Sequence, residues 1–225
     1  MAAPQPESFS PNNADLCTVG DVRAYINSQN TQQTFDDNTI QRLITAFSQS
    51  IDSYTSRHLM AQGYTETRNG RNEIAMTVKY PSIIAVQSVA IDGYTINQST
   101  SLTVAGWVND ERMIYLRAGT PISFGPTVFC NGIMNVVLSY WSGYETPGQV
   151  ENSVTFPAGI IPPALPLDIQ EVCIEMVMLA NRQRPRLGDQ STGVGPEKLT
   201  YYLRSMSERS RETIGRYSNN AFPLT

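Results

Sequence analysis

One histidine, His58, and three cysteines, Cys17, Cys130 and Cys173, are the whole supply of imidazole and thiol in this 225-residue chain. A nucleophile relay needs a Ser or Cys in a recognisable arrangement with a base, and a structural zinc needs closely spaced thiolate or imidazole ligands. Neither pattern is present. The cysteines are odd in number, widely separated and without C-x-x-C spacing, which reads as reduced thiols of a cytosolic folding compartment rather than a disulfide framework. His58 follows Arg57 at the fraying end of a helix and reads as a helix-terminal histidine. Asp36-Asp37 and Asp110-Glu111 offer paired carboxylates for a metal or a shared proton, but a helix start and a turn call for such residues anyway. Gly193-Val194-Gly195-Pro196 lacks the Lys and Ser/Thr of a phosphate-binding loop and follows no strand. Met176 and Met178 read as core fillers. The residues therefore predict no catalytic, cofactor or metal site, and a protein that assembles rather than an enzyme.

Charge divides the chain unevenly. The whole carries a net charge of −4 and a pI near 5.0, against a general nucleic-acid binder. Residues 1–181 hold eight Lys and Arg against sixteen Asp and Glu, whereas residues 182–225 hold eight against four. The body is thus at −8 and the C-terminal segment at +4. That basic segment, with Arg182, Arg184, Arg186, Lys198, Arg204, Arg209, Arg211 and Arg216, reads either as a solvated face or as a docking element for an acidic protein surface. Phe222-Pro223-Leu224 adds apolar side chains to an otherwise polar end. Met1 to Asn13 has neither a basic n-region nor an apolar h-region, and no apolar run approaches a membrane span, so a soluble, non-secreted product is expected.

The elements that would position these groups follow from hydrophobic period. Residues 1–15, with Pro4, Pro6 and Pro11 among polar neighbours, predict a flexible arm. Thr18-Val19-Gly20-Asp21 opens a helix over 18–28 in capping-box style, with Val19, Val22, Tyr25 and Ile26 on one face. A second helix, 37–57, carries Ile40, Leu43, Ile44, Phe47, Ile51 and Tyr54 at steps of three and four. Between Tyr64 and Tyr140 the period moves toward two, with strands at Ile74–Tyr80, Ile84–Ile91, Leu102–Val108, Met113–Leu116 and Ile133–Tyr140. A phase slip predicts a bulge near Gln87-Ser88, and Asp92-Gly93 predicts a tight turn. Residues 142–166, rich in Gly and Pro, predict a long loop. Asp168-Ile169-Gln170-Glu171 reads as a capping box, with Leu167 and Val172 as its hydrophobic staple, opening a helix over 168–183. Pro196 opens a last helix over 196–206, beyond which burial fades. The fold class expected is α+β, mainly a helical bundle with a small antiparallel sheet inserted in its middle.

In order and spacing, five segments resemble the head-to-tail connector (adaptor, or head-completion) family of tailed bacteriophages. They are Leu16 to Ile26, Ile40 to Arg57, the strand Tyr80 to Val89 with its Asp92-Gly93 turn, Val136 to Tyr144, and Pro166 to Ile169 opening the helix that ends at Asn181-Arg182-Gln183-Arg184. The resemblance covers about residues 16–185 and implies a connector domain over 16–206 in a ring of subunits, usually twelve. Such a ring lies in the virion neck beneath the portal protein, passes double-stranded DNA through its lumen without reading sequence, and receives the tail or a stopper protein. No cofactor and no membrane are implied. On that reading residues 207–225 form a docking extension that orders on the portal, with Arg204, Arg209, Arg211 and Arg216 meeting acidic groups and Tyr217, Phe222 and Leu224 anchoring in apolar pockets. A negative lumen suits sliding DNA, because it repels phosphate. Two alternatives remain: a small hydrolase, for which no nucleophile motif exists, and a monomeric β-rich adhesion or carbohydrate-binding module, for which 11 tyrosines and 2 tryptophans offer stacking platforms.

Overall fold

The computed structural model describes residues 10–28, 36–119, 127–183 and 207–218. It divides into two compact units. The first comprises the chain up to Leu59, Glu145–Thr155 and the chain from Ala164 onward, and the second Met60–Tyr144 with Phe156–Pro163; the stretch 16–206, expected as one domain, is divided between them.

The first unit is helical: α1 (Val19–Ser28), α2 (Asp37–Thr55), α3 (Pro147–Glu151), α4 (Leu167–Gln183) and α5 (Glu208–Tyr217). Helix α4 is its axis, packed by α1, α2 and α5. It is apolar around most of its circumference, with Ile169, Val172, Cys173, Ile174, Met176 and Val177 all buried, as a helix with neighbours on several sides must be. Helix α2 buries Ile40, Ile44, Phe47 and Ile51 on one face, and each such side chain contributes about 1.5–3 kcal/mol by leaving water. Tyr54, which the sequence pattern put on that face, is half exposed, and Gln41, Ser48 and Thr55 are buried in the seam instead. The α1 capping box forms: the Asp21 amide donates to Thr18 Oγ1 at 3.1 Å and the Thr18 amide to Asp21 Oδ2 at 2.9 Å.

Three expectations for this unit need correction. Residues 10–15 are not a free arm: the Gly148 amide donates to the Asp15 carbonyl at 3.1 Å, Gln41 Nε2 donates to Asp15 Oδ2 at 2.5 Å, and Thr146 Oγ1 donates to the Asn13 carbonyl. Residues 142–166 are not one loop, because Thr146 caps α3 in a capping box with Gln149. The box expected at Asp168 does not form, since α4 opens one residue earlier. The Ile169 amide donates to the Pro166 carbonyl at 3.1 Å, and Leu167 is 75% exposed and staples nothing. Pro166, with its fixed φ and no amide to satisfy, starts the helix in place of a side-chain cap. The helix expected at 196–206 lies outside the described residues.

The second unit holds β1 (Gln62–Gly70), β2 (Ala75–Thr77), β3 (Ile83–Ile91), β4 (Tyr94–Ile96), β5 (Gly106–Asn109), β6 (Met113–Arg117) and β7 (Gly132–Ser142). They form two antiparallel sheets, β1-β7-β3-β4 and β2-β6-β5. Both contribute to one core, in which Val89, Ile91, Val136, Leu138 and Tyr140 of the larger sheet meet Trp107, Ile114 and Leu116 of the smaller. The phase slip in β3 is a register shift between Val86 and Ser88. Asp92 and Gly93 both take positive φ, +51° and +83°, in the two-residue turn that pairs Ile91 with Tyr94. Seven strands in two sheets, with strand and helix in comparable amounts, overturn the expectation of a mainly helical bundle: the fold is mixed α+β. The excess strand comes from polar or short segments, above all β1, whose apolar content is one tyrosine.

Candidate functional site

Among the described residues, one dense cluster of titratable side chains is one that spacing did not reveal. On β1, Tyr64, Glu66 and Arg68 share a face, and β7 lays Tyr140 beside them. Glu66 receives four donors. Tyr140 Oη and the Lys79 amide, the latter at 2.9 Å, donate to Oε1, and Arg68 donates through Nε and Nη2 at 2.8 Å to Oε2. The Tyr64 and Tyr80 rings stack above with centroids 4.2 Å apart, and the Tyr80 amide donates to Tyr140 Oη at 3.2 Å. Burial, reinforced by the Glu66 bond, pushes the Tyr140 phenol far above its usual range. A phenol held neutral has no proton to release at ordinary pH, and both oxygens of the neighbouring carboxylate are already occupied by donors. The cluster is an internal polar staple between β1 and β7.

His58 is equally unequipped. Its Nδ1 lies 3.3 Å from Asp52 Oδ2, and Asp52 Oδ1 accepts the Leu59 amide at 3.2 Å, so the pair closes the turn after α2. Burial raises the Asp52 carboxyl from its ordinary value, against the bonds from Leu59 and His58. Asp36 caps α2 through the Thr39 amide, and Asp37 pairs with Arg23 at 2.5 Å. Asp110 accepts the Arg112 and Met113 amides and Tyr115 Oη, each at 2.7 Å; against the pull of desolvation, these bonds hold its carboxyl below the usual range. Each acidic pair thus does a structural task. Among the described residues no group of three or more His, Cys, Asp or Glu is placed to hold a metal ion. No helix there is long and apolar enough to cross a membrane.

The basic segment remains. Helix α5 lies along α4 and buries Ser210, Thr213 and Ile214, which corrects the expectation that burial fades after Met206. Both of its ends are tied to α4 carboxylates. Glu175 accepts the Ser207 amide at 2.9 Å and the Ser210 hydroxyl, and Tyr217 Oη donates to Asp168 at 3.1 Å. Tyr217 is therefore an anchor within its own unit. The exposed arginines do not share a face: Arg209 and Arg216, seven residues apart, lie on one flank with Glu212, and Arg211 lies on the other. Arg216 pairs with Glu212 at 2.9 Å. Between α4 and α5 runs an open groove of about 700 Å³, with Asp168, Glu171 and Glu175 on one wall and Arg209 and Arg216 on the other. It has charge of both signs, and the hydroxyls of Ser207 and Ser210 on its wall donate to Glu175. Arg204, Phe222 and Leu224 lie outside the described residues.

Other proteins supply the context for this surface. A model of the head completion protein family matches residues 15–219. A chain from the neck of an empty GTA particle computed with C6 symmetry superposes with a TM-score of 0.53 at 12% identity, over 97% of each chain. A chain from the virion of a native gene transfer agent particle gives a TM-score of 0.50 at 12% identity, again over 97% of each. At that identity the likeness speaks to the fold. No curated relative matches the chain.

Proposed function

Because this chain belongs to the head completion protein family, we propose that copies of it form a ring in the virion neck, beneath the portal protein, joining the DNA-filled head to the tail and lining part of the DNA channel. The observation that carries this reading is the extent of the family match, residues 15–219, which takes in both units and α5. The internal chemistry is consistent with it, since the dense titratable cluster is used up in holding two strands together. The acidic body favours a lumen that repels phosphate and lets the duplex slide. The outward flanks of α5, with Arg209, Arg211 and Arg216, supply cationic groups for an acidic portal surface. Arg204, Phe222 and Leu224 extend that contact, and Tyr217 holds α5 in position. A ring multiplies a weak contact through its copies, so the individual interface need not be strong.

The test is head completion with purified components. Portal-bearing heads lacking this protein are mixed with the wild-type chain or with Arg209→Glu/Arg211→Glu/Arg216→Glu, and the fraction of heads that acquire tails is counted. Amide exchange across 208–217 checks that α5 stays docked beside Asp168, Glu171 and Glu175, and with α5 docked tailed particles are expected to fall at least tenfold. Completion at the wild-type level by the charge-reversed protein would move the portal contact away from α5.

A further inference from the structure

Cys17 and Cys173 stand 156 positions apart in sequence, yet the fold sets their sulfurs 3.5 Å from each other. Both are fully buried, at 1% and 0% exposure. Cys17 lies in the turn before α1, and Cys173 lies mid-way along α4. Ser48 of α2 completes the spot: its Oγ accepts the Leu16 amide at 3.0 Å and lies 3.7 Å from Cys173 Sγ. A disulfide needs about 2.05 Å between sulfurs, so an approach of roughly 1.5 Å closes the bond. The third cysteine, Cys130, is exposed and belongs to the other unit.

We propose that Cys17 and Cys173 are a latent disulfide site, oxidised by a dissolved low-molecular-weight disulfide such as oxidised glutathione. In the closed state neither sulfur meets solvent, and the bond to Cys173 together with burial pushes the Cys17 thiol up, so the pair is unreactive as it stands. Reaction begins when residues 10–17 lift. That segment is held by the fully buried Leu16 side chain as well as by the Leu16 amide to Ser48 and the Asp15 carbonyl to Gly148, so its opening is infrequent, but it precedes α1 and can lift without unfolding a helix. The freed Cys17 loses its proton to solvent, and its thiolate attacks one sulfur of the dissolved disulfide, expelling the other as a thiolate. As the segment closes, Cys173 gives up its proton and attacks the Cys17 sulfur, expelling the second thiolate. Two protein thiols are oxidised to one disulfide, one dissolved disulfide is reduced to two thiols, and the two protons end on the departing thiolates. On the reading of the protein as a neck component, the subunit stays pliable in a reducing cell and is stapled after release into an oxidising medium.

The test uses the full chain as Cys130→Ser, which removes the exposed thiol, in sub-denaturing urea with oxidised glutathione. The expected product has lost about 2 Da and carries no adduct. Its peptide map links Cys17 to Cys173, and its Tm rises by several degrees and returns on reduction. Adding Cys173→Ser, or Cys17→Ser if the first variant does not fold, abolishes the Tm rise and leaves a single glutathione adduct. Adducts on both cysteines with no internal link, thiols that stay reduced, or an internal link that lowers Tm each overturn the proposal. None of these readouts depends on ring formation, so they stand or fall separately from the neck assignment.

Discussion

Ile44 and Ile214 are buried alike, at 0% and 1% exposure, yet their truncation is expected to have different consequences. Cutting a buried Ile to Ala costs about 2–5 kcal/mol in lost transfer energy and residual cavity. Ile44 sits on α2, which packs on α1, α4 and α5, so its truncation falls on the core those helices share. With an m-value of about 2–3 kcal/mol/M, at the upper end of the usual range as suits a chain of this length, Ile44→Ala should lower the urea midpoint by roughly 0.7–2.5 M. Ile214 lies on α5, a ten-residue helix held against α4 and α2 by that one fully buried apolar side chain, by the Glu175 and Asp168 contacts at its ends, and by Arg57 Nη1, which donates to the Tyr217 carbonyl at 3.5 Å. A helix this short does not persist alone in water, so when its anchor fails α5 detaches and unfolds while α1, α2 and α4 remain. The effect on global stability is then capped by the docking energy of α5. Ile214→Ala should shift the midpoint by less than half the Ile44→Ala value, and amide exchange should accelerate across 208–217 while α2 stays protected. Equal midpoint shifts, with α5 still protected, would show that α5 is part of the cooperative core and refute this reasoning.

His58→Ala should leave head completion and infectivity near wild type, because the His58 ring is half exposed and its bond to Asp52 serves the turn after α2; loss of infectivity with a folded variant would restore a catalytic or assembly role for the imidazole. Asp15 is buried with Oδ1 unpartnered, and desolvation raises its carboxyl above the ordinary 3.8. The folded state therefore holds the Asp15 proton more tightly than the unfolded chain, and the stability this contributes is present below about pH 4 and lost as pH rises through the folded value. Asp15→Asn should accordingly stabilise by about 1 kcal/mol at pH 7, with the gain shrinking toward pH 4, and a gain that instead grows in acid would reverse the assignment. Tyr140→Phe removes the Glu66 bond and the acceptor for the Tyr80 amide, and should cost about 1.5–3 kcal/mol in urea unfolding; a change below about 0.5 would show that the cluster holds nothing together.

The helices were legible because their signals are local and repeated. The Ile40, Ile44, Phe47 and Ile51 stripe and the Thr18–Asp21 box need no tertiary knowledge, and neither do the Asp92-Gly93 turn and the bulge after Val86. What escaped depends on partners distant in sequence. Strand β1 alternates Tyr64, Glu66 and Arg68 with Gly63, Thr65 and Thr67, a period of two written in polar residues; its inward carboxylate makes sense only once Tyr140 is beside it. The ordering of residues 10–15 rests on Gly148, where a Cβ would collide with the Asn12 carbonyl. Helix α5 has one fully buried apolar residue and so shows almost no stripe, while its hold on α4 is through serines and a tyrosine. The absence of a nucleophile motif was readable at once. Which arginines share a face was not, because that follows from where α5 begins and which side Ile214 commits to α4.

The most direct test of the central claim is a cryo-electron microscopy reconstruction of the particle neck, without imposed symmetry, from virions carrying this chain. The account predicts a closed ring of copies of this protein against the portal, acidic side chains facing the DNA and α5 at the portal contact. Particles in which the chain is missing from the neck, or is a single copy on an outer surface, would contradict it.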